Sequence, residues 1–204
     1  LRDHGQLCGG YEHRNGAFRS EGDTPAYWHQ IDVGLRSLEH PGYGGWGGRF
    51  VRETGRAPSR NTWRGAKDDG DVYKPLWRWT AAIQNDWAAR ADWGMMADVK
   101  KANHPPTAKV AGPQDRTVKP GEKITLSAEG SSDPDGDTLS FRWWRYDDVD
   151  TSTAKIGIAG ADAQSGASLT VPDERGKTIH IILEVTDDGD PPLTRYQRVI
   201  FTIE

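Results

Sequence analysis

Between residues 104 and 204, apolar and polar positions alternate in short runs parted by turn residues, the pattern of an all-β domain. Seven runs stand out: Thr107–Gly112, Lys123–Glu129, Leu139–Tyr146, Ala154–Ala159, Ala167–Val171, Lys177–Thr186 and Thr194–Ile203. In the sixth, Ile179, Ile181, Leu183 and Val185 share one face, while His180 and Glu184 share the other with Ile182 between them. In the seventh, Val199, Phe201 and Ile203 alternate with Arg198, Ile200 and Thr202. The third puts Leu139, Phe141 and Trp143 in phase, so Trp143 is the expected core tryptophan and Trp144 and Tyr146 point away from that core. Seven strands in about 100 residues predict an immunoglobulin-like β-sandwich.

Residues 1–103 read differently. Thr24 as N-cap and Pro25 as first helical residue start a helix on which Tyr27, Ile31 and Leu35 form a stripe. A second helix is predicted over Lys74–Lys101, with Trp79, Ile83 and Trp87 at i, i+4 and i+8, read as core or domain interface. Trp93, Met95 and Met96 close it and are expected to pack against the sandwich, with Trp144 and Tyr146 either as their seat or as a polysaccharide platform. Arg52–Asp71 is polar and charged, a long surface loop around Trp63.

Composition divides the chain at the same place. Ile, Leu and Val number 11 in residues 1–103 and 19 in 104–204, whereas seven of the nine tryptophans lie in the first part. Asn103-His104-Pro105-Pro106-Thr107 marks the changeover, because paired prolines force an extended lead-in. The predicted domains are therefore 1–103 and 104–204. So few aliphatics suggest that residues 1–103 complete a core whose other half lies in a missing N-terminal part. The competing reading is a small domain built on tryptophan.

Charge and cysteine content remove other classes. One cysteine excludes an internal disulfide and a thiolate zinc site. The pI of about 5.9 argues against a nucleic-acid polymer as partner. No apolar run approaches the roughly 20 residues of a membrane span.

Three segments carry candidate chemistry. Glu21 and Asp23 flank Gly22 on the loop feeding the first helix; they suit hard-cation binding or acid–base work, or Asp23 merely supports the cap. The stretch Glu39-His40-Pro41-Gly42-Tyr43-Gly44-Gly45-Trp46-Gly47-Gly48-Arg49-Phe50 holds five glycines in Gly42–Gly48. With competing side chains stripped away, Trp46 and Tyr43 can offer flat faces to sugar C–H groups while Glu39, His40 and Arg49 reach hydroxyls. Equally, the aromatics can plug the domain's own surface. Finally, Asp133-Pro134-Asp135-Gly136-Asp137 has the i, i+2, i+4 carboxylates of a Ca²⁺ loop, or forms a turn in which Asp caps backbone donors.

Asn103–Ala108, then Gly130–Asp137 leading into Phe141-Arg142-Trp143, and Asp187-Asp188-Gly189 resemble bacterial PKD-type and cadherin-like modules. Glu21–Pro25 and the Glu39–Arg49 loop, together with Asp3-His4-Gly5 and the last two strands, resemble a family of secreted bacterial cellulose-binding proteins. Its members join a nucleoside-hydrolase-like α/β domain to an immunoglobulin-like C-terminal domain. The resemblance implies an α/β fragment, the end of the hydrolase-like domain, followed by the sandwich. It implies a secreted or periplasmic protein and a polysaccharide or other sugar-containing ligand. In nucleoside hydrolases one late aspartate before a helix joins an Asp-rich motif on Ca²⁺; Asp23 matches it, with Glu21 as the group that orients it. Gly22 stands where those enzymes usually have His, and the Asp-rich motif is absent from this chain.

Three readings follow. The first is a carbohydrate-associated protein that binds or helps break down cellulose-type polysaccharide. The second is a Ca²⁺-dependent hydrolase of glycosidic or N-ribosidic bonds, completed by the missing part, with Asp23 as metal ligand and Glu21, His4 and His40 as acid–base or hydroxyl-binding groups. The third is a structural spacer or adhesion module.

Overall fold

The computed structural model describes residues 25–52, 63–162 and 165–204. Two compact units form, Leu1–Ile83 and Gln84–Glu204.

In the first unit, helix α1 spans only Pro25–Trp28. Gly34 and Arg36 have positive φ (88° and 59°), which is incompatible with a continuing helix. The expected helical stripe therefore does not form: Leu35 is buried as expected, but Tyr27 is exposed and Trp28 and Val33 are buried beside Leu35. Strands β1 (Phe50–Arg52) and β2 (Trp63–Gly65) pair antiparallel, with Phe50 opposite Gly65 and Arg52 opposite Trp63. A short helix α2 (Lys74–Trp77) has Pro75 near its start and leads into α3 (Thr80–Met95), so the single helix expected over 74–101 is broken near Arg78. The buried residues Trp79, Ile83 and Asp86 follow the 3.6 period, whereas Trp87 falls off that face and is exposed.

The second unit is the sheet-rich one. A four-stranded sheet runs in the order β3 (Asp115–Val118), β8 (Thr194–Ile203), β7 (Thr178–Thr186), β5 (Ser140–Arg145). The second sheet pairs β4 (Lys123–Ser127) with β6 (Gly166–Thr170). One core joins them: Ile124, Leu126 and Leu169 from the small sheet, and Trp143, Ile179, Ile181, Leu183, Val185, Val199, Phe201 and Ile203 from the large one. The alternating positions of β7 and β8 thus point where their sequence says.

Two expected strands differ. Thr107–Gly112 forms no strand, only a bridge from Thr107 to Ser132, and Asp115–Val118 pairs parallel to β8 in its stead. Of Ala154–Ala159, only Ala159 pairs, with Ser168.

Part of the far face of the large sheet is also buried. Ile182, Arg198 and Tyr146 carry essentially no exposed surface, and Arg198 Nη1 lies 3.1 Å from His180 Nδ1. Tyr146 is therefore not a surface platform. From Gln84 on, α3 binds its own unit through Asn85 Nδ2 to the Pro192 carbonyl (2.9 Å) and Arg195 to Asp86 (2.7 Å). Trp93 Nε1 donates to the Asn103 carbonyl (2.7 Å) and its ring stacks on His104. Met95 and Met96, expected to pack there as well, are exposed.

Candidate functional site

The glycine-rich loop builds a small aromatic group from its own backbone. Arg36 and Glu39 close the first turn, with Arg36 Nε 2.9 and 2.8 Å from the two Glu39 oxygens and Nη2 at 2.6 Å. His40 then caps a 3-10 turn over Pro41–Tyr43: its Nδ1 accepts the Gly42 N–H at 3.0 Å. A neutral His40 ring consequently carries its proton on Nε2. Gly42 is needed for this approach, because a Cβ there would stand 2.8 Å from the imidazole.

Three rings result. His40 lies 5.1 Å from Tyr43 and meets Trp63 edge-on at 5.8 Å, and the Arg36 guanidinium stands 5.9 Å over the Tyr43 ring. Trp63 is set opposite Arg52 of β1, the strand that follows the loop, and from there its ring meets His40. Its ring is partly open, at 37% exposed; His40 is exposed and Tyr43 half-buried. Open ring faces beside an N–H, a phenol and an ion pair suit stacking on an apolar face of a ligand that also carries hydroxyls.

Two expected members are corrected. Trp46 is 1% exposed and offers no flat face. It sits in a tight turn closed by Gly45 N to Gly48 O (3.1 Å) and Gly48 N to Gly45 O (2.8 Å), and its side chain is buried. Arg49 is buried and committed: Nε bonds Asp68 Oδ1 at 2.8 Å and Nη2 bonds the Lys67 carbonyl at 2.6 Å. Arg78 takes the other Asp68 oxygen at 3.0 Å. Glu39 is exposed but held by Arg36.

His4, Glu21 and Asp23 lie outside the described residues. Sequence reasoning passed over Trp63 as a partner of His40; its one signal was a lone tryptophan in the charged stretch Arg52–Asp71. Among the described residues, the acidic oxygens close enough to share a cation belong to Asp133, Asp135 and Asp137 in the second unit.

A family model for the nucleoside hydrolase-like domain of cellulose-binding Sde182 matches residues 1–50. The model for the C-terminal domain of cellulose-binding protein Sde0182 matches residues 123–203. The chain belongs to this family. His40, Tyr43 and Trp46 fall within the first match and Trp63 outside both.

A solved structure of a nucleoside hydrolase-related hypothetical protein from Saccharophagus degradans, associated with carbohydrate metabolism, is 31% identical with a TM-score of 0.77. The alignment covers all of this chain and 53% of that one, so the chain spans about half the length of that relative. The PKD domain of the KIAA 1837 protein is 20% identical over 48% of this chain and 89% of its own, with a TM-score of 0.35. Mouse PcdhgC3 EC1-3 is 13% identical over 49% and 33%, with a TM-score of 0.30. No curated protein matches the chain.

Proposed function

We propose that this chain is part of a secreted or periplasmic polysaccharide-binding protein, and that His40, Tyr43 and Trp63 are its sugar-contacting surface. The partly open ring of Trp63 beside His40 and Tyr43 carries the reading. Membership of a cellulose-binding family supports the ligand class. A pyranose lays its C–H face on Trp63 while His40 Nε2–H, the Tyr43 hydroxyl and the Arg36–Glu39 pair meet its hydroxyls. In the second unit, the two sheets over one core support an immunoglobulin-like sandwich acting as a rigid support.

Retention on insoluble cellulose tests the surface. Trp63→Ala and Tyr43→Ala are expected to weaken retention about tenfold each, the loss of about 1.4 kcal/mol of contact, with circular dichroism unchanged. Retention equal to wild type in both folded variants overturns it.

The match of residues 1–50 to a nucleoside hydrolase-like domain favours a second reading, hydrolysis of a glycosidic or N-ribosidic bond in the longer protein. Asp23 would hold Ca²⁺ there with Glu21 beside it. Calorimetry on the longer protein with Asp23→Ala tests this: unchanged Ca²⁺ affinity removes Asp23 as a ligand.

A further inference from the structure

A second group of open aromatic rings lies further along the first unit. Trp77 is 46% exposed and Tyr73 43%, although tryptophan is highly buried on average in folded proteins. The Trp77 N–H donates to the Tyr73 carbonyl at 2.9 Å, so the two residues stand one helical turn apart, at i and i+4, where side chains share a face. A single exposed apolar side chain calls for no explanation, but two aromatic ones on the same face of one short helix do.

The exposed indole is not free to turn. Trp77 Nε1 donates to Asp71 Oδ2 at 3.3 Å, and Asp71 Oδ1 accepts the Tyr73 N–H at 2.7 Å. Asp71 is itself placed by a tight turn. Its N–H donates to the Asp68 carbonyl at 2.9 Å and the Asp68 N–H donates back to the Asp71 carbonyl at 3.0 Å. Asp69 and Gly70 between them both have positive φ (49° and 79°), and Asp-Gly is a pair that such a turn favours. Hydrogen bonds, first from the Tyr73 N–H and then from the Trp77 indole, hold the Asp71 carboxyl below the usual carboxylate range. An ionised carboxylate with acceptor capacity to spare therefore stands at the edge of a fixed, open ring.

The foundation of this group is shared with the first surface. Asp68, fully buried, takes both Arg49 and Arg78, and Arg49 ends the loop that carries His40 and Tyr43. The Ala66 N–H donates to the Arg49 carbonyl at 2.8 Å, so the strand of Trp63 runs on directly into the Asp68–Asp71 turn. One buried ion pair thus ties both ring groups to a single scaffold. A ligand made of repeating units can engage two such fixed positions at once. Its charge is constrained too: Lys74 pairs with Asp69, and with Asp71 added the patch carries an excess of negative charge, which disfavours an anionic ligand.

We propose that Trp77 and Tyr73, with Asp71 at the edge of the indole, form a second subsite for a pyranose ring of an uncharged polysaccharide. The proposal rests on the polysaccharide-binding reading above but uses none of its three residues. The sugar lays its C–H face on the exposed indole, Asp71 accepts a hydroxyl, and the Tyr73 phenol meets another.

The test is retention of the full chain on insoluble cellulose. Trp77→Ala and Tyr73→Ala are each expected to weaken retention about fivefold, with circular dichroism unchanged. Trp77→Phe keeps a ring but gives up the bond to Asp71, and its retention should fall between those of wild type and Trp77→Ala. Trp63→Ala combined with Trp77→Ala should lose about the product of the two single losses, as independent positions do. Retention equal to wild type in folded Trp77→Ala and Tyr73→Ala overturns the second subsite; a loss in Trp63→Ala alongside it leaves the first surface standing. A loss in Trp77→Ala with none in Trp63→Ala or Tyr43→Ala supports the second subsite and overturns the first surface. Absence of retention in the wild type overturns both.

Discussion

Asp68 accepts Arg49 Nε at 2.8 Å while carrying no exposed side-chain surface, and its second oxygen takes Arg78 at 3.0 Å. One buried carboxylate therefore joins the end of the glycine-rich loop to the break between α2 and α3. Breaking a buried pair by removing one partner costs far more than an exposed pair contributes, because the remaining charge stays desolvated. Asp68→Asn is expected to destabilise the first unit by about 3–5 kcal/mol, read as a fall in urea midpoint. A change under about 0.5 kcal/mol, typical of surface substitutions, would contradict the role assigned to this pair.

Trp46 provides the matching test of the loop. A fully buried indole truncated to methyl leaves a cavity, and such losses run to about 3–5 kcal/mol. Trp46→Ala should lower stability by that order. Gly47→Ala should also destabilise, by about 1–3 kcal/mol, because its Cβ would stand 2.4 Å from the His29 ring, itself 5.0 Å from Phe50. Retained stability with lost cellulose retention in Trp46→Ala would restore this ring to the sugar surface.

The contrast between Trp46 and Trp63 shows what the sequence could and could not convey. Glycines around an aromatic say that its ring is free to turn, not which way it turns. The neighbour of His40 is fixed by β1–β2 pairing, a non-local relation that no window of sequence displays. In the second unit, Ile179, Ile181, Leu183 and Val185 were legible because alternation reports one buried face. Burial of His180, Ile182 and Arg198 on the opposite face was not, since a strand covered on both sides loses its alternation. Strand β3, with Asp115, Arg116 and Thr117 ahead of the buried Val118, shows no apolar period at all and is held by parallel pairing to β8.

Asp150 makes stability depend on pH in an unusual direction. Burial raises its carboxyl to about 6, against the opposing pull of Arg145 and of the His180 N–H that it accepts at 2.6 Å. The folded state thus holds a proton between about pH 4 and 6 that the unfolded chain has released. Stability falls as pH rises through that window and stays lowered above it. The contribution is on the order of 1–3 kcal/mol. Burial raises Glu184 as well, ahead of the opposing Arg142 charge, and acts with the same sign. Asp71 and Glu174, lowered chiefly by hydrogen bonds from the Tyr73 backbone and the Ser152 side chain, act with the opposite sign. The readout is therefore the difference between wild type and Asp150→Asn in urea unfolding at pH 4 and pH 7. A difference that does not change between those pH values would refute the assignment.

Asp86 tests how α3 is fastened to its own unit. Its side chain is 4% exposed and takes Arg195 Nη2 at 2.7 Å and Arg90 Nε at 2.6 Å. The two partners are unequal despite similar distances: the Arg195 side chain is 14% exposed and Arg90 47%. Solvent screens the Arg90 pair, an i,i+4 contact along one helix, so Arg90→Ala should cost no more than about 0.5 kcal/mol. Arg195 bridges from β8 to the helix in a desolvated setting, and Arg195→Ala should cost about 3 kcal/mol, with weak dependence on added salt. Asp86→Ala should match Arg195→Ala, and the double variant should lose little more than either single one, because both remove the same pair. Additive losses in that cycle would mean that Asp86 and Arg195 stabilise the unit independently.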